Sequence, residues 1–289
     1  MATRSRDRLP RPTDRLPLGA SGLEVSPICV GIVDDPETVP AAFEAGINFF
    51  FVTADMHWPL YEQTRRGIAR LLERHPGARD SIVVGAVSYV APPEFLWLPF
   101  QEVLDEVPAL ERLDLTIAGG AYRHEIAQRL EVYEQHRTRR HAGARAIGAS
   151  FHDREAARRV VGRGAIDIGF VRYNPVHPGA RADLFPHVGS RADGRRTLLF
   201  NFKSTLGHIA SEARYAALGV AADYWRPRLT DYYRFALGEP ALDGILCALP
   251  GPHAVRELAL ALEAGPLSDE DRQYLLDLGA LARGAAKVT

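Results

Sequence analysis

Eight short apolar runs, rich in β-branched and aromatic residues, alternate along the chain with longer stretches of helical spacing. This alternation constrains the fold more than any other feature. The runs are SPICVGIV, INFFFV, SIVVGAV, LDLTIAG, ARAIGAS, AIDIGFVRYN, RRTLLFNF and LDGILCALPG. Strands that alternate with helices pair in parallel through right-handed crossovers. Eight such units within 289 residues predict an α/β fold, a closed (β/α)8 TIM barrel, which usually takes about 250 residues. The competing fold, an open doubly wound sheet, wants a Gly-rich phosphate loop after an early strand. CVGIVDD lacks the second and third glycines of that motif. Ahead of the barrel, RLPLGASGLEVS sets two short runs around a Gly-Ala-Ser-Gly turn and predicts an N-terminal β-hairpin. No linker or break in composition divides the chain. Residues 15–289 therefore read as one barrel domain and residues 1–14, where Arg is mixed with Asp, as a flexible solvated tail.

Composition removes several function classes. Thirty-five Lys and Arg stand against 36 Asp and Glu, a net charge of −1, so no nucleic-acid footprint or acidic-membrane partner is expected. No apolar run reaches the roughly 18 residues of a membrane helix and no signal peptide is visible, which makes a cytoplasmic location the expectation. Cys29 and Cys247 lie in apolar runs and read as small buried strand residues rather than a disulfide or a metal knuckle.

In a (β/α)8 barrel the chemistry sits where the strands end. That rule turns the strand list into a site list. The second strand, in GINFFFVTADMHW, delivers Asp55, His57 and Trp58, with Tyr61 beyond them reading as helix packing. The third delivers Tyr89, the fourth Tyr122, the fifth Phe151 and His152, the sixth Tyr173, His177 and Asn174, and the seventh Asn201, Lys203 and His208. His253 follows the eighth. A metal site needs three or more convergent ligands, and no HxH or HxxxH spacing with a matching carboxylate is present, so no metal is expected.

The sequence resembles the aldo-keto reductase family along most of its length. LGASGLEVSPICVG is similar to that family's opening hairpin and first strand. AAFEAGINFFFVTADMHW is similar to its Gly-Ile-Asn-Phe-Phe-Asp-Thr-Ala-Asp-x-Tyr signature. ARAIGAS and RYNPV resemble its fifth and sixth strands, and LPGPHAVRELALALEAGPLSDED its last strand and terminal helices. The resemblance implies an NADPH-dependent carbonyl reductase with a catalytic Asp, Tyr, Lys and His. Carried over position by position, the Asp falls on Val52, the Tyr on His57, the Lys on Ala86 or Val87, and the His on Gly119. The cofactor positions also differ. The Ser-Asn that holds the carboxamide reads Ser150-Phe151, its Gln falls on Phe170, and the nicotinamide-stacking aromatic falls near Asn201. Pro252, His253 and Ala254 follow the last strand where phosphate ligands are expected, and the adenine pair falls on Leu260 and Ala261. Arg256 and the amides at a helix start remain to hold a phosphate.

Losing the acid, its Lys, the Asp and the His together removes the proton donor and the groups that tune it. The leading expectation is a barrel enzyme with a degenerate redox site and no cofactor, carrying out acid/base chemistry on a small molecule: dehydration, isomerisation or cyclisation. His57, Asp55 and Lys203 are its catalytic candidates. Trp58, Tyr89, Tyr122, Phe151, His152, Tyr173 and Asn201 are its substrate-binding candidates. Two alternatives stand beside it. One is an oxidoreductase with altered NADPH contacts and His57 as proton donor. The other is a non-catalytic barrel that binds a ligand or a protein.

Overall fold

A computed structural model of the chain describes residues 6–53, 55–121, 125–137, 144–189 and 196–284. Two short strands come first, β1 (Leu16–Leu18) and β2 (Leu23–Val25), paired antiparallel as Leu16 with Val25 and Leu18 with Leu23. Eight parallel strands follow: β3 (Ile28–Val30), β4 (Phe49–Thr53), β5 (Val83–Ser88), β6 (Leu115–Ala118), β7 (Ala146–Phe151), β8 (Ile168–Arg172), β9 (Leu198–Phe202) and β10 (Gly244–Cys247). They close in chain order, with β10 hydrogen-bonded to both β9 and β3. The hairpin and the (β/α)8 barrel are both as expected from the sequence.

Among the described residues, ten α-helices surround the sheet: α1 (Thr38–Glu44), α2 (Glu62–Arg74), α3 (Leu98–Glu106), α4 (Ile126–His136), α5 (Arg154–Val161), α6 (Ala180–Asp183), α7 (Glu212–Ala217), α8 (Leu229–Leu237), α9 (Pro252–Glu263) and α10 (Asp269–Ala282). None of them is long and apolar enough to cross a membrane, among the described residues. The helical run expected from Leu60 begins instead with a 3₁₀ turn, Trp58–Tyr61, because Pro59 supplies no amide to an α-helical ladder.

Each strand alternates between two apolar environments. Phe49, Phe51, Phe170 and Phe200 fill the barrel interior with Val87 and Ile117. Phe50, Val52, Phe151 and Tyr173 pack in the shell between sheet and helices. The interior rings meet edge-on or tilted, Phe51 against Phe170 at 5.3 Å and Phe49 against Phe200 at 5.6 Å, which suits the ring quadrupoles. Leu18 and Val25 of the hairpin join this interior cluster and close the barrel floor. Leu9, in the stretch expected as a tail, is 2% exposed within the outer shell.

A polar residue just before every second strand fixes the strand starts. Asn48 Oδ1 accepts from the Ser26 amide (2.7 Å). Asp114 accepts from Val84 (2.9 Å), Asp167 from Ile147 (2.9 Å) and Asp243 from Leu199 (2.8 Å). Each side chain thus satisfies an amide in the preceding strand or, for Ser26, just ahead of it, which burial would otherwise leave without a partner. Asp114 also pairs with buried Arg79 at 3.0 Å, and Asp243 with Arg196 at 2.7 Å.

Candidate active site

β4 leads into a loop that one carboxylate ties down. Asp55 Oδ2 accepts from the Ser88 hydroxyl (2.9 Å) and the Tyr89 amide (2.6 Å), and its Oδ1 accepts from the Met56 amide (2.6 Å). Arg129 of α4, 1% exposed, donates to the carbonyls of Ser88 (2.7 Å) and Gly119 (2.9 Å). The ends of β4, β5 and β6 are thereby joined. This clamp sets two rings against each other: His57 and Tyr89 meet edge to face with centroids 5.1 Å apart. Burial, and then the Asp55 charge, pushes the Tyr89 hydroxyl up from its ordinary value, against a smaller opposing effect of Arg129.

These rings line a cavity of about 400 Å³ at the carboxyl ends of the strands. Phe51, Tyr61, Phe170, Phe202 and Leu246 form its apolar wall. His57, Tyr89, Ser150, His152, Lys203 and Ser204 supply its polar groups. The size and mixed lining are those of a small-molecule site. His152 meets the Phe202 ring edge-on at 5.3 Å. Burial, then the charges of Lys203 and Arg172, hold His152 below its ordinary value. Lys203 has φ of 57°, the left-handed region that non-glycine residues seldom occupy. Buried Asn174 holds it there, donating from Nδ2 to the Lys203 carbonyl at 2.8 Å.

Of the candidates read from the sequence, His57, Tyr89, His152 and Lys203 come together around this one cavity. Asp55 sits beside it as the acceptor of the loop clamp. Three substrate-binding candidates are corrected by strand alternation, because residues of odd and even position face opposite sides of the sheet. Phe151 packs among the helices while its neighbour Ser150 lines the cavity. Tyr173, 1% exposed, stacks on Phe235 at 5.4 Å and accepts from Arg272 at 2.6 Å, outside the barrel. Asn201 is fully buried and bonds the Tyr173 backbone, whereas Phe202 faces the cavity. Trp58 is a fourth correction. It lies under the Arg65 guanidinium at 3.5 Å rather than on the cavity wall. Tyr122 lies outside the described residues. Tyr61, expected as helix packing, lines the cavity and pairs with Phe51 at 5.9 Å. Phe51, Ser150, Phe170 and Phe202 follow by parity only after the structure has fixed the inward phase of each strand.

The same alternation bears on the positions given by the family resemblance. Val52 packs toward the helices, so Phe51 is the residue of β4 that meets the cavity. Val87 faces inward on β5. At Gly119 an added Cβ would lie 2.9 Å from the Ser88 carbonyl and 2.9 Å from the Tyr89 ring. Val87, whose Cγ2 would be nearest at 2.8 Å, shares with Tyr89 and the Ser88 carbonyl the space a side chain at Gly119 would need. Ser150 Oγ accepts from the Gly120 amide at 3.0 Å. A second groove, of about 890 Å³, runs between α8, α9 and α10 and includes Leu260 and Ala261. Arg228 and Arg234 line it, but so do Asp231, Glu257 and Asp271, with Arg234 paired to Asp231 at 2.9 Å.

Among the described residues no group of three or more His, Cys, Asp or Glu is placed to hold a metal. His208 packs on Tyr232, His177 bonds Asn174, and exposed His253 pairs with Glu257. Cys29 and Cys247 are buried free thiols, and burial pushes both well up.

No protein-family model and no curated protein matches the sequence. Solved structures match its fold. The holo form of an aldo-keto reductase from Bacillus halodurans has a TM-score of 0.69 at 16% identity, over 92% of this chain and 96% of that one. Its apo form has a TM-score of 0.65 at the same identity and coverage. A Pseudomonas aeruginosa protein, provisionally assigned as an aldo-keto reductase, has a TM-score of 0.60 at 18% identity, over 90% of this chain and 98% of that one. What is shared at these identities is the barrel.

Proposed function

We propose that this barrel of aldo-keto reductase fold is an enzyme whose redox site has degenerated. Its mouth carries out cofactor-independent acid/base chemistry on a small, planar, largely apolar molecule. His57 moves the proton, taking it from one atom of the substrate and returning it to another or to a departing hydroxyl. The observation that carries the reading is the His57 ring, held edge-on to Tyr89 at the wall of an otherwise aromatic cavity. An imidazole serves as acid or base without a cofactor. Asp55 positions the pair through the Tyr89 amide. Lys203 meets the substrate from the opposite strands.

NADPH, which the resemblance implies, does not fit the residues present. Phe170, fully buried, offers the carboxamide no hydrogen bond where the family uses an amide side chain. The groove at Leu260 and Ala261, where the adenine end would lie, sets three carboxylates against two arginines, one of them already paired to Asp231. The second reading is NADPH-dependent carbonyl reduction with His57 as proton donor. It is favoured by the fold neighbour whose structure is a holo form.

NADPH titrated against intrinsic tryptophan fluorescence separates the two. No saturable change is expected, and micromolar binding would sink the cofactor-free reading. His57→Phe is expected to fold with an unchanged circular-dichroism spectrum and to lose turnover by about 10²–10⁴-fold, the usual worth of a positioned acid or base. Full turnover in that variant removes His57 from the chemistry.

A further inference from the structure

We infer that the cavity carries a built anion subsite, formed by Lys203, Ser204 and His152 beside Phe202, and that the substrate is an aromatic compound bearing one anionic group. The inference deepens the proposed function and rests on the cavity being a substrate site. Among the described residues lining the cavity, Lys203 carries the one full charge and no Asp or Glu is present. The Lys203 ammonium lies 5.9 Å from the centroid of Phe202, whose ring also meets His152. A flat ligand stacked in this corner has its edge beside both basic groups.

Ser204 supplies the independent observation. It is 2% exposed and lines the cavity, yet its Oγ has no hydrogen-bond partner. A buried hydroxyl without a partner costs free energy, which an acceptor arriving with the ligand removes. An anionic oxygen is the strongest acceptor and is also what Lys203 attracts. The backbone at Lys203 agrees. A left-handed lysine is strained and persists because Asn174 holds its carbonyl, and strain of this kind gathers at ligand sites. Burial holds His152 down first, and the charges of Lys203 and Arg172 add to it; those charges are what an incoming anion would offset.

The remaining wall, Phe51, Phe170, Tyr61 and Leu246, takes the aromatic body. A carboxylate and a phosphate monoester share the required chemistry, so both are tested. Benzoate, phenyl phosphate and neutral benzyl alcohol are titrated into the full chain by calorimetry, with no turnover needed. At least one anionic probe is expected to bind ten-fold or more tighter than benzyl alcohol, and the tighter of the two identifies the anion. Lys203→Asn removes the charge with a residue that tolerates left-handed backbone. It is expected to weaken the anionic probe ten-fold or more, to leave benzyl alcohol unchanged, and to be rescued in large part by Lys203→Arg. Ser204→Ala is expected to weaken the same probe by a smaller factor. Equal affinity for charged and neutral probes, or no binding of either anion at millimolar concentration, overturns the inference. So does unchanged anion affinity in both Lys203→Asn and Ser204→Ala. If His57→Phe keeps full activity while Lys203→Asn loses benzoate or phenyl phosphate, the proton-transfer role falls and the anion subsite stands.

Discussion

Asp55 is the residue on which the geometry of the mouth depends, and it acts through what it accepts rather than through a charge turned to the cavity. Its Oδ2 takes the Tyr89 amide and the Ser88 hydroxyl together. Hydrogen bonds to an ionised acceptor are each worth about 1.5–3 kcal/mol. Asp55→Ala is therefore expected to destabilise the fold by roughly 1–3 kcal/mol and to free Tyr89 from its edge-to-face seat on His57. Urea unfolding measures the first effect. The pH–rate profile separates the two roles. An unshifted profile with a raised KM marks Asp55 as a positioning residue, and a shifted one gives it a direct share in proton transfer.

At the scale of elements, the barrel is held at its base by the repeated polar side chain ahead of every second strand. In the sequence these are the Asn of GINFF and the Asp of RLDLT, AIDIG and ALDGI. Asp114 is a fully buried test of the device, since it satisfies both the Val84 amide and Arg79. Asp114→Ala strands a buried guanidinium and is expected to cost about 3–5 kcal/mol, read as a loss of denaturant midpoint with an unchanged m-value. The eight strands and the hairpin were legible because short apolar runs bounded by turn residues and separated by amphipathic helices leave few other topologies. The cavity lining was legible only in part. His57, Tyr89, His152 and Lys203 stand out as chemistry-bearing types near strand ends. Phe151, Tyr173 and Asn201 stand at the same ends but face outward, since a shift of one residue changes sides. The strands here are apolar on both faces, so the sequence carries no hydrophobic alternation from which to read that phase. Tyr61 escaped for another reason: Pro59 recasts the start of its helix as a 3₁₀ turn and rotates it inward.

For the whole molecule, three histidines set the response to acid. Burial is the largest cause holding His152, His177 and His208 below their ordinary value of 6.5. The unfolded chain therefore binds their protons first as pH falls, and stability drops with it. The loss begins near 6.5 and continues toward the lower folded values. Glu239 and Asp167 are shifted the other way by burial, so the folded chain takes up their protons first. That adds stability as pH falls from their raised folded values to their ordinary unfolded ones, and blunts the decline further into acid. Thermal unfolding is expected to show a lower Tm just below 6.5 than just above it, and a flat or rising Tm across that window would contradict the buried-histidine account. Gly119 has a different kind of consequence, for the order in which this barrel can change. Val87, Tyr89 and the Ser88 carbonyl already occupy the space beyond its Cα, so a histidine placed there meets two side chains and backbone, and trimming Tyr89 alone does not clear its seat. A redesign toward carbonyl reduction must vacate that space first. Substitutions that would be interchangeable in sequence on an open site here have a first step and a last.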